Sequence, residues 1–136
     1  MNSGLQYLLD TNILSSLAKD PSGAIGRHLK IVGDGSVCTS VIVACEIRFG
    51  LSKGGSAALR ERLERMLSAL EILPLESAVE SHYAAIRWHL EKNGTPIGPN
   101  DLLIAAQARS LGLIVVTNNL DEFRRVPALS VENWLE

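Results

Sequence analysis

Three acidic residues stand in surroundings where an acid is unusual. Asp10 directly follows residues 5–9, an apolar run that predicts a buried strand. Glu46 is the only acid in the apolar stretch 41–47, and Asp101 lies in the first turn of a predicted helix. An acid amid apolar residues is rarely left buried without a partner. These three residues are therefore the first candidates for a functional site.

The three acids suit one kind of chemistry if they meet in a single pocket. Carboxylates that share a pocket repel each other, so they take up protons or bind a cation. Ligand sets made only of oxygen favour Mg²⁺ or Mn²⁺, and such an ion acidifies bound water and stabilises charge on a phosphate. The chain lacks a glycine-rich phosphate loop, a GxSxG motif and an HExxH motif. The acids therefore suggest metal-dependent hydrolysis of a phosphodiester.

Each acid also has an ordinary structural interpretation. Asp10 could form a turn or cap a helix, and Asp101 could complement a helix dipole. Glu46 could be an exposed helix residue that pairs with Arg48 or Arg60. These interpretations weaken when the acids are considered together, because the predicted elements bring all three to or near one crevice.

Five short segments predict the strands. They cover residues 5–9, 36–39, 71–75 and 113–117, with a last short strand near 129–131. Residues 113–117 are nearly all aliphatic, which suits a parallel strand covered on both faces. Strands that alternate with helices imply right-handed crossovers. The predicted fold class is therefore α/β, with a central, mainly parallel sheet sandwiched between helices in a single domain over residues 1–136.

Capping residues predict where the helices begin and end. Thr11 or Asn12 is predicted to cap a short helix after the first strand. Ser40 is predicted to cap an apolar helix that runs through Phe49 and is closed by Gly50.

Later in the chain, apolar residues recur at helical spacing over residues 59–70. Ser77 and Glu80 predict a capping box for the following helix, and residues 94–99 predict a loop. Asn100 is predicted to cap a helix that runs to Ser110, with Gly112 as its left-handed stop.

The fold class indicates which polar residues deserve attention. Ligands of parallel sheets bind beyond the carboxyl ends of the strands, where the strand order reverses. Asp10 follows the first strand, and Thr117, Asn118 and Asn119 close the aliphatic strand. We expect these residues to face the same crevice.

The composition predicts a folded protein of the cytoplasm. Of the 136 residues, 46% are hydrophobic and 21% are charged, which favours a globular fold over disorder. No apolar run approaches the roughly 18 residues of a membrane span, and residues 1–4 do not resemble the start of a signal peptide. Cys38 and Cys45 are too few for a disulfide framework. We therefore expect a cytoplasmic protein without membrane contact.

The net charge of −2 argues weakly against a nucleic-acid partner. However, cations would neutralise acids that cluster at a metal site, and the remaining surface could present arginines to phosphates. The arginines in question are Arg60, Arg62, Arg65, Arg109, Arg124 and Arg125. Solvated helix faces are the ordinary interpretation of each of them.

Several segments of the chain, taken together, resemble one protein family. They are residues 8–12, Glu46 with Phe49 and Gly50, residues 97–106, residues 116–119 with Glu122 and Phe123, and residues 125–134. In this order and spacing, which span almost the whole chain, they closely resemble the PIN-domain toxins called VapC. The resemblance implies a PIN-like three-layer α/β/α sandwich.

The resemblance also implies an activity and partners. VapC toxins are Mg²⁺-dependent endoribonucleases, and Mn²⁺ is expected to substitute. They are the toxin half of a type II toxin–antitoxin pair, and a VapB antitoxin inhibits them by wrapping a C-terminal segment over the toxin groove. We therefore expect a VapB-type antitoxin, a homodimer, a toxin–antitoxin hetero-oligomer and an RNA substrate. The subgroup also resembles toxins that cleave the anticodon region of initiator tRNA.

The resemblance assigns expected roles to four residues of this sequence. Asp10 and Asp101 would be the principal magnesium ligands, and Glu46 would complete the acidic set directly or through water. Asn119 occupies the fourth catalytic position, where many relatives have Asp. An amide is a neutral and weaker metal ligand, which puts a second metal ion in doubt.

Neighbouring residues could support this set. Asp121 or Glu122 could compensate for the amide at position 119. Thr117 and Asn12 would orient Asp10 by hydrogen bonds. For the antitoxin, we expect an apolar groove between the helix over residues 42–51 and the helix over residues 59–70.

Two other functions remain open. Asn119 favours a PIN fold that only docks a partner, since loss of an acid can mean loss of chemistry. Asp10 is also compatible with a domain that accepts a phosphoryl group, such as a receiver or a haloacid-dehalogenase-like phosphatase. The dehalogenase pattern, however, expects a second Asp where Asn12 stands. A receiver expects its acceptor Asp after the third strand, where residues 75–77 are Leu, Glu and Ser.

Overall fold

The computed structural model describes residues 4–135. Within these residues the chain forms five strands and seven α-helices. The elements are β1 (Tyr7–Leu9), α1 (Thr11–Lys19), α2 (Ala24–Val32), β2 (Val37–Ser40), α3 (Val41–Ser52), α4 (Ala57–Ala69), β3 (Glu71–Leu73), α5 (Val79–Lys92), α6 (Pro99–Leu111), β4 (Ile114–Val116), α7 (Leu120–Phe123) and β5 (Val131–Glu132). All five predicted strands are present, and each is shorter than or shifted from its predicted range.

The strands form one sheet in the order β3-β2-β1-β4-β5, and every pair is parallel. Leu8 of the central strand β1 pairs with Cys38 of β2 on one side and with Val115 of β4 on the other. The chain therefore builds outward from β1 in one direction and then returns to build in the other. The strand order reverses between β1 and β4, which is where such sheets bind ligands.

The sheet is covered by helices on both faces. All four residues of β2 are buried, and Leu8, Leu9, Val115 and Val116 of the two neighbouring strands are fully buried. Burial of consecutive strand residues requires cover on both faces, since neighbouring side chains point in opposite directions. The predicted fold class, an α/β/α sandwich with a parallel sheet, is confirmed. No helix within residues 4–135 is both long and apolar enough to cross a lipid bilayer.

Two predicted helix ends are confirmed. The Ser40 side chain accepts a hydrogen bond from the Ile42 N–H at 3.0 Å and so caps α3. Gly112 ends α6 in the left-handed conformation, with φ +69°, and the Leu113 N–H returns to the Ala108 carbonyl at 2.9 Å.

The predicted boundaries of α1 and α3 are wrong. Neither Thr11 nor Asn12 caps α1, because Asp10 is the N-cap and its side chain accepts from the Thr11 N–H. Gly50 does not close α3, which continues to Ser52. The extra residues include Leu51, which is buried, so core packing outweighs the low helix propensity of glycine.

The predicted starts of α5 and α6 are also wrong. Ser77 forms no capping box, because Ala78 is the N-cap of α5 and makes no side-chain cap. Asn100 does not cap α6, which begins one residue earlier at Pro99 with Gly98 as its N-cap. Proline suits the first position of a helix because its φ is already helical and its missing N–H would have no helical partner. Asn100 is thereby left free to make contacts elsewhere.

Candidate active site

Asp10 lies at the carboxyl end of β1 and is almost completely buried, with 5% of its surface exposed. Its N–H donates to the Val116 carbonyl of β4 at 2.9 Å. Its Oδ1 accepts from the Thr11 N–H at 2.8 Å, and its Oδ2 accepts from the Thr117 hydroxyl at 2.9 Å. These bonds hold the carboxyl at the switch point of the sheet, while burial raises its pKa above the ordinary value.

Glu46 projects from α3 toward the same place. Its Oε1 accepts from the Thr11 hydroxyl at 2.6 Å, and its Oε2 accepts from the Asn100 amide at 3.4 Å. Thr11 thus links the two acids, since its N–H contacts Asp10 and its hydroxyl contacts Glu46. The first turn of α6 reaches Glu46 through Asn100.

The alternative in which Glu46 pairs with an arginine is wrong. Arg48 pairs instead with Glu64 of α4 at 2.6 Å. Arg60 donates to the Leu51 carbonyl. Both cations are used to join helices, so neither neutralises Glu46.

Asp101, in the first turn of α6, carries the clearest sign that the acids converge. Its pKa is raised to about 7, first by burial and then by the neighbouring negative charges. The charges are those of Asp10, Glu122 and Glu46, in decreasing order. Asp101 therefore lies within electrostatic reach of Asp10 at the end of β1 and of acids from α3 and α7, which are far apart in the sequence.

Glu122 of α7 is held by several donors. Its Oε1 accepts from the Gly98 N–H at 2.6 Å, and its Oε2 accepts from the Asn119 amide. Burial works to raise its pKa, but these bonds, one with Asp101 and the charge of Arg125 together hold the pKa below the ordinary value. Glu122 is thus an ionised acid beside Asp101.

The remaining predicted residues divide into two groups. Asn119 lies at the site, where its side chain donates to Glu122 and its N–H donates to the Thr117 hydroxyl at 3.0 Å. Asn12 does not contact Asp10 as expected, because its amide donates to Asn118 at 3.1 Å. Asp121 is exposed. Of the two acids that could compensate for the amide at position 119, the structure brings only Glu122 to the cluster.

Four residues at the site make contacts that the sequence did not predict. Thr11 and Asn100 donate to Glu46. Gly98 supplies the N–H that binds Glu122, and Arg125 donates to the Pro96 carbonyl at 3.0 Å. Proline after Gly98 is a signal for a helix start and could have identified Gly98 as the N-cap. No signal in the sequence predicts that Arg125 contacts the loop of Pro96, since 29 residues separate them.

The acids lie near one another but do not form a closed metal-binding cage in the described residues. In the described part of the chain, no three acidic, histidine or cysteine side chains are close enough to enclose a metal ion. Mg²⁺ does not need such a cage, because it usually binds one or two carboxylates and keeps several waters. Asp10 and Asp101 supply two carboxylates, and a cation would relieve the repulsion that raises the pKa of Asp101. The donor set therefore fits a hydrated divalent ion.

The chain combines a parallel-sheet fold with a cluster of acids. It is an α/β domain with an acidic, all-oxygen centre at the switch point of a parallel sheet, and it suits metal-assisted phosphodiester hydrolysis. A family model described as PIN domain matches residues 7–129. The chain belongs to the PIN-domain family, and its full-length relatives are VapC ribonucleases. The resemblance in the sequence is confirmed.

Individual relatives match over nearly their whole length. Ribonuclease VapC2 of Haemophilus influenzae is 41% identical, with 96% of this chain and 99% of the relative covered. The tRNA(fMet)-specific endonuclease VapC of Shigella flexneri is 35% identical, with 96% and 98% covered. Among solved structures, the chain is similar to one in VapBC2 from Rickettsia felis bound to a promoter DNA fragment, with a TM-score of 0.88, 34% identity, and 96% and 99% covered.

Proposed function

We propose that this chain, as a single domain over residues 1–136, is a divalent-metal-dependent endoribonuclease and the toxin of a toxin–antitoxin pair. The observation that supports the metal dependence is the convergence of Asp10, Glu46, Asp101 and Glu122, whose charges add to burial in raising the pKa of Asp101 to about 7. Such repulsion disfavours the metal-free, fully ionised site and favours a bound cation. Mg²⁺ is the proposed ion, with Mn²⁺ as a substitute.

The proposed roles follow from the contacts of each residue. Asp10 and Asp101 would hold the metal ion, and Glu46 would complete the acidic set directly or through water. When bound, the ion acidifies water and stabilises the negative charge that develops on the phosphate. Thr117 fixes the orientation of the Asp10 carboxyl by its 2.9 Å hydrogen bond. Thr11 does the same for Glu46.

Asn119 acts through Glu122 in this proposal. Its amide holds the Glu122 carboxylate, so the negative charge that an Asp at position 119 would supply comes from α7 instead. Asn12 is assigned no role in orienting Asp10, since its amide is engaged with Asn118.

The proposed substrate is a structured RNA, and tRNA is the first candidate. A relative of 35% identity is named as a tRNA(fMet)-specific endonuclease, and the similarity covers nearly the whole of both chains. A tRNA substrate would place the activity in the cytoplasm.

The proposed partners are a VapB-type antitoxin and a second copy of the chain. Similar structures are VapBC complexes, one from Rickettsia felis and one from Salmonella typhimurium, both bound to DNA. For the antitoxin segment, we propose the groove of about 210 Å³ that begins at Glu46 and continues between α1, α3 and α4. Its apolar lining includes Ile47, Leu51, Leu59 and Leu63.

Asp10→Asn tests the activity directly. The amide keeps the shape of the side chain but removes the negative charge, so RNA cleavage by the purified protein in Mg²⁺ should fall at least about 100-fold, since even supporting residues around a metal change activity 10–100-fold. Asp20→Asn, the same change in the exposed cap at the other end of α1, is the matched control. Equal cleavage by both variants would contradict the assigned site.

A docking module without catalysis is the second candidate, and Asn119 is the observation that favours it. Such a protein would bind RNA or an antitoxin but cut no RNA in Mg²⁺ or Mn²⁺. A metal bound only by the folded form raises the unfolding temperature by mass action, so an unchanged unfolding temperature at millimolar metal would support the docking module. The phosphoacceptor alternative has lost its basis, since the chain belongs to the PIN-domain family.

A further inference from the structure

A groove separate from the acidic centre lies between α5 and the loop before α6. Its volume is about 270 Å³. Tyr83 and Arg87 of α5 form one side, and Pro96 and Ile97 of the loop form the other. Leu90 and Leu102, which are 2% and 7% exposed, also line it. The groove thus combines a flat aromatic ring and a flat cation with apolar walls.

Hydrogen bonds hold the Arg87 guanidinium in place beside Tyr83. Arg87 Nε donates to Glu91 Oε2 at 2.6 Å, and Arg87 Nη1 donates to the Tyr83 hydroxyl at 3.0 Å. An exposed pair such as Arg87 and Glu91 contributes little to stability. The two hydrogen bonds instead orient Arg87, because they hold two of its nitrogens and so fix the plane of the guanidinium beside Tyr83. Within the described residues, these bonds use two of the five N–H donors of Arg87, so both hydrogens of Nη2 can still donate.

The same loop connects this groove to the acids. Ile97 lines the groove, and the next residue, Gly98, donates its N–H to Glu122. Leu102 lines the groove, and the preceding residue is Asp101. Arg125 holds the loop by its bond to the Pro96 carbonyl. The loop before α6 and the first turn of α6 therefore contribute residues to both the groove and the acidic centre.

We infer that this groove binds one unpaired nucleobase of the RNA substrate next to the bond that is cut. Sequence-specific RNA recognition relies on unpaired bases that stack on aromatic rings or arginine planes and form hydrogen bonds through their edges. Tyr83 and Arg87 offer both kinds of surface, and Arg87 Nη2 can donate to a base or a phosphate. The inference rests on the proposed function and adds a subsite to it.

A double-mutant cycle between protein and RNA tests the subsite. Wild type and Tyr83→Leu are titrated in Mg²⁺ into labelled single-stranded RNAs that have an uncleavable linkage at the cut site and one abasic nucleotide at successive positions around it. For wild type, one abasic position should weaken binding about tenfold, as expected for a base stacked on a ring. Tyr83→Leu should weaken binding of the intact RNA by a similar factor and be insensitive to that abasic position. Tyr83→Phe, which keeps the ring, should retain the wild-type response.

Arg65→Ala is the matched control for Arg87→Ala. Arg65 forms the same kind of exposed pair, with Glu61 one helical turn away, on α4, which does not line this groove. Arg87→Ala should raise the KM for RNA cleavage several-fold and leave kcat nearly unchanged, whereas Arg65→Ala should change neither. Equal effects of the two arginine variants, or abasic penalties that are the same in wild type and Tyr83→Leu, would overturn the subsite.

Two further outcomes separate the possible failures. If wild type neither binds nor cuts RNA, both the proposed function and the proposed subsite are wrong. If wild type cuts RNA and the groove variants behave like wild type but change the oligomeric state in sedimentation, the groove is a protein interface and only the subsite is wrong.

Discussion

The carboxyl of Asp101 retains its proton to a higher pH than an ordinary aspartic acid. Burial and the charges of Asp10, Glu122 and Glu46 raise its pKa to about 7. A metal ion needs the ionised form, so binding below this pH must displace the proton. Mg²⁺ affinity should therefore rise about tenfold per pH unit below pH 7 and level off above it.

Calorimetric titration of Mg²⁺ or Mn²⁺ between pH 5.5 and 8.5 would measure this dependence. In buffers of different ionisation enthalpy, the same titrations report the number of protons released. Metal affinity that is constant from pH 5.5 to 7, with no proton release, would contradict the raised pKa of Asp101.

Glu122 and Asp121 offer a matched comparison at the residue scale. Glu122 contributes to the raised pKa of Asp101, whereas its exposed neighbour Asp121 is not among the charges that do so. Glu122→Gln should lower the pKa of Asp101 and move the break in the metal-affinity profile to lower pH. Asp121→Asn removes one charge at the adjacent position and should leave the break where it is. Identical profiles for the two variants would show that Glu122 does not act on Asp101.

Some site residues were predictable and others were not, for physical reasons. Asp10 follows a strand, and Asp101 lies in the first turn of a helix. The rule that ligands of parallel sheets bind beyond the carboxyl ends of the strands therefore directs attention to them. The bond between Glu122 and the Gly98 N–H spans 24 residues, and α7, which carries Glu122, is four residues long. Such a short helix leaves no periodic pattern in the sequence.

Helix ends show where local rules fail at the scale of the element. Ser40 was predictable because serine is a preferred N-cap residue, whose hydroxyl accepts from a free N–H of the first helical turn, here that of Ile42. Asn100 satisfied the same rule, but Pro99 starts α6 earlier and the Asn100 amide contacts Glu46 instead. Gly50 resembled a helix stop, but the buried Leu51 extends α3 beyond it. In α3 a tertiary contact outweighed the local preference, whereas in α6 the local preference of Pro99 outweighed that of Asn100.

Two serines test this account of the helix caps. Ser40→Ala removes the hydroxyl that accepts from Ile42 N–H, so the free energy of unfolding should fall by about 1 kcal/mol. Ser77→Ala should change it by less than about 0.5 kcal/mol, as is usual for surface substitutions, because α5 has no side-chain cap. Urea unfolding followed by circular dichroism measures both values. An equal loss of unfolding free energy in Ser77→Ala would show that Ser77 does cap α5.

At the scale of the molecule, topology assembles the site. The order β3-β2-β1-β4-β5 places the ends of β1 and β4 side by side, so Asp10 and Thr117 meet although 107 residues separate them. The alternation of strands and helices predicted this parallel arrangement. The helices that bring Glu46 and Asp101 to the same edge are positioned by packing on the sheet. Sequence periodicity does not contain that information.

The distribution of charge follows from the same topology. The formal net charge is only −2, yet acids from β1, α3, α6 and α7 meet at one edge of the sheet. A divalent cation at this edge would offset the formal charge of the whole chain. A weakly acidic protein can therefore bind RNA through a bound metal ion and through nearby arginines such as Arg125.

Anomalous diffraction from crystals in Mn²⁺ would locate the ion among the acids. We expect a manganese peak within coordination distance of a carboxylate oxygen of Asp10 and one of Asp101, with waters completing the shell. In crystals of Asp10→Asn grown under the same conditions the peak should be lost or much weaker. A peak that lies away from both residues, or a structure in which Asp10 and Asp101 are too far apart to share an ion, would contradict the account.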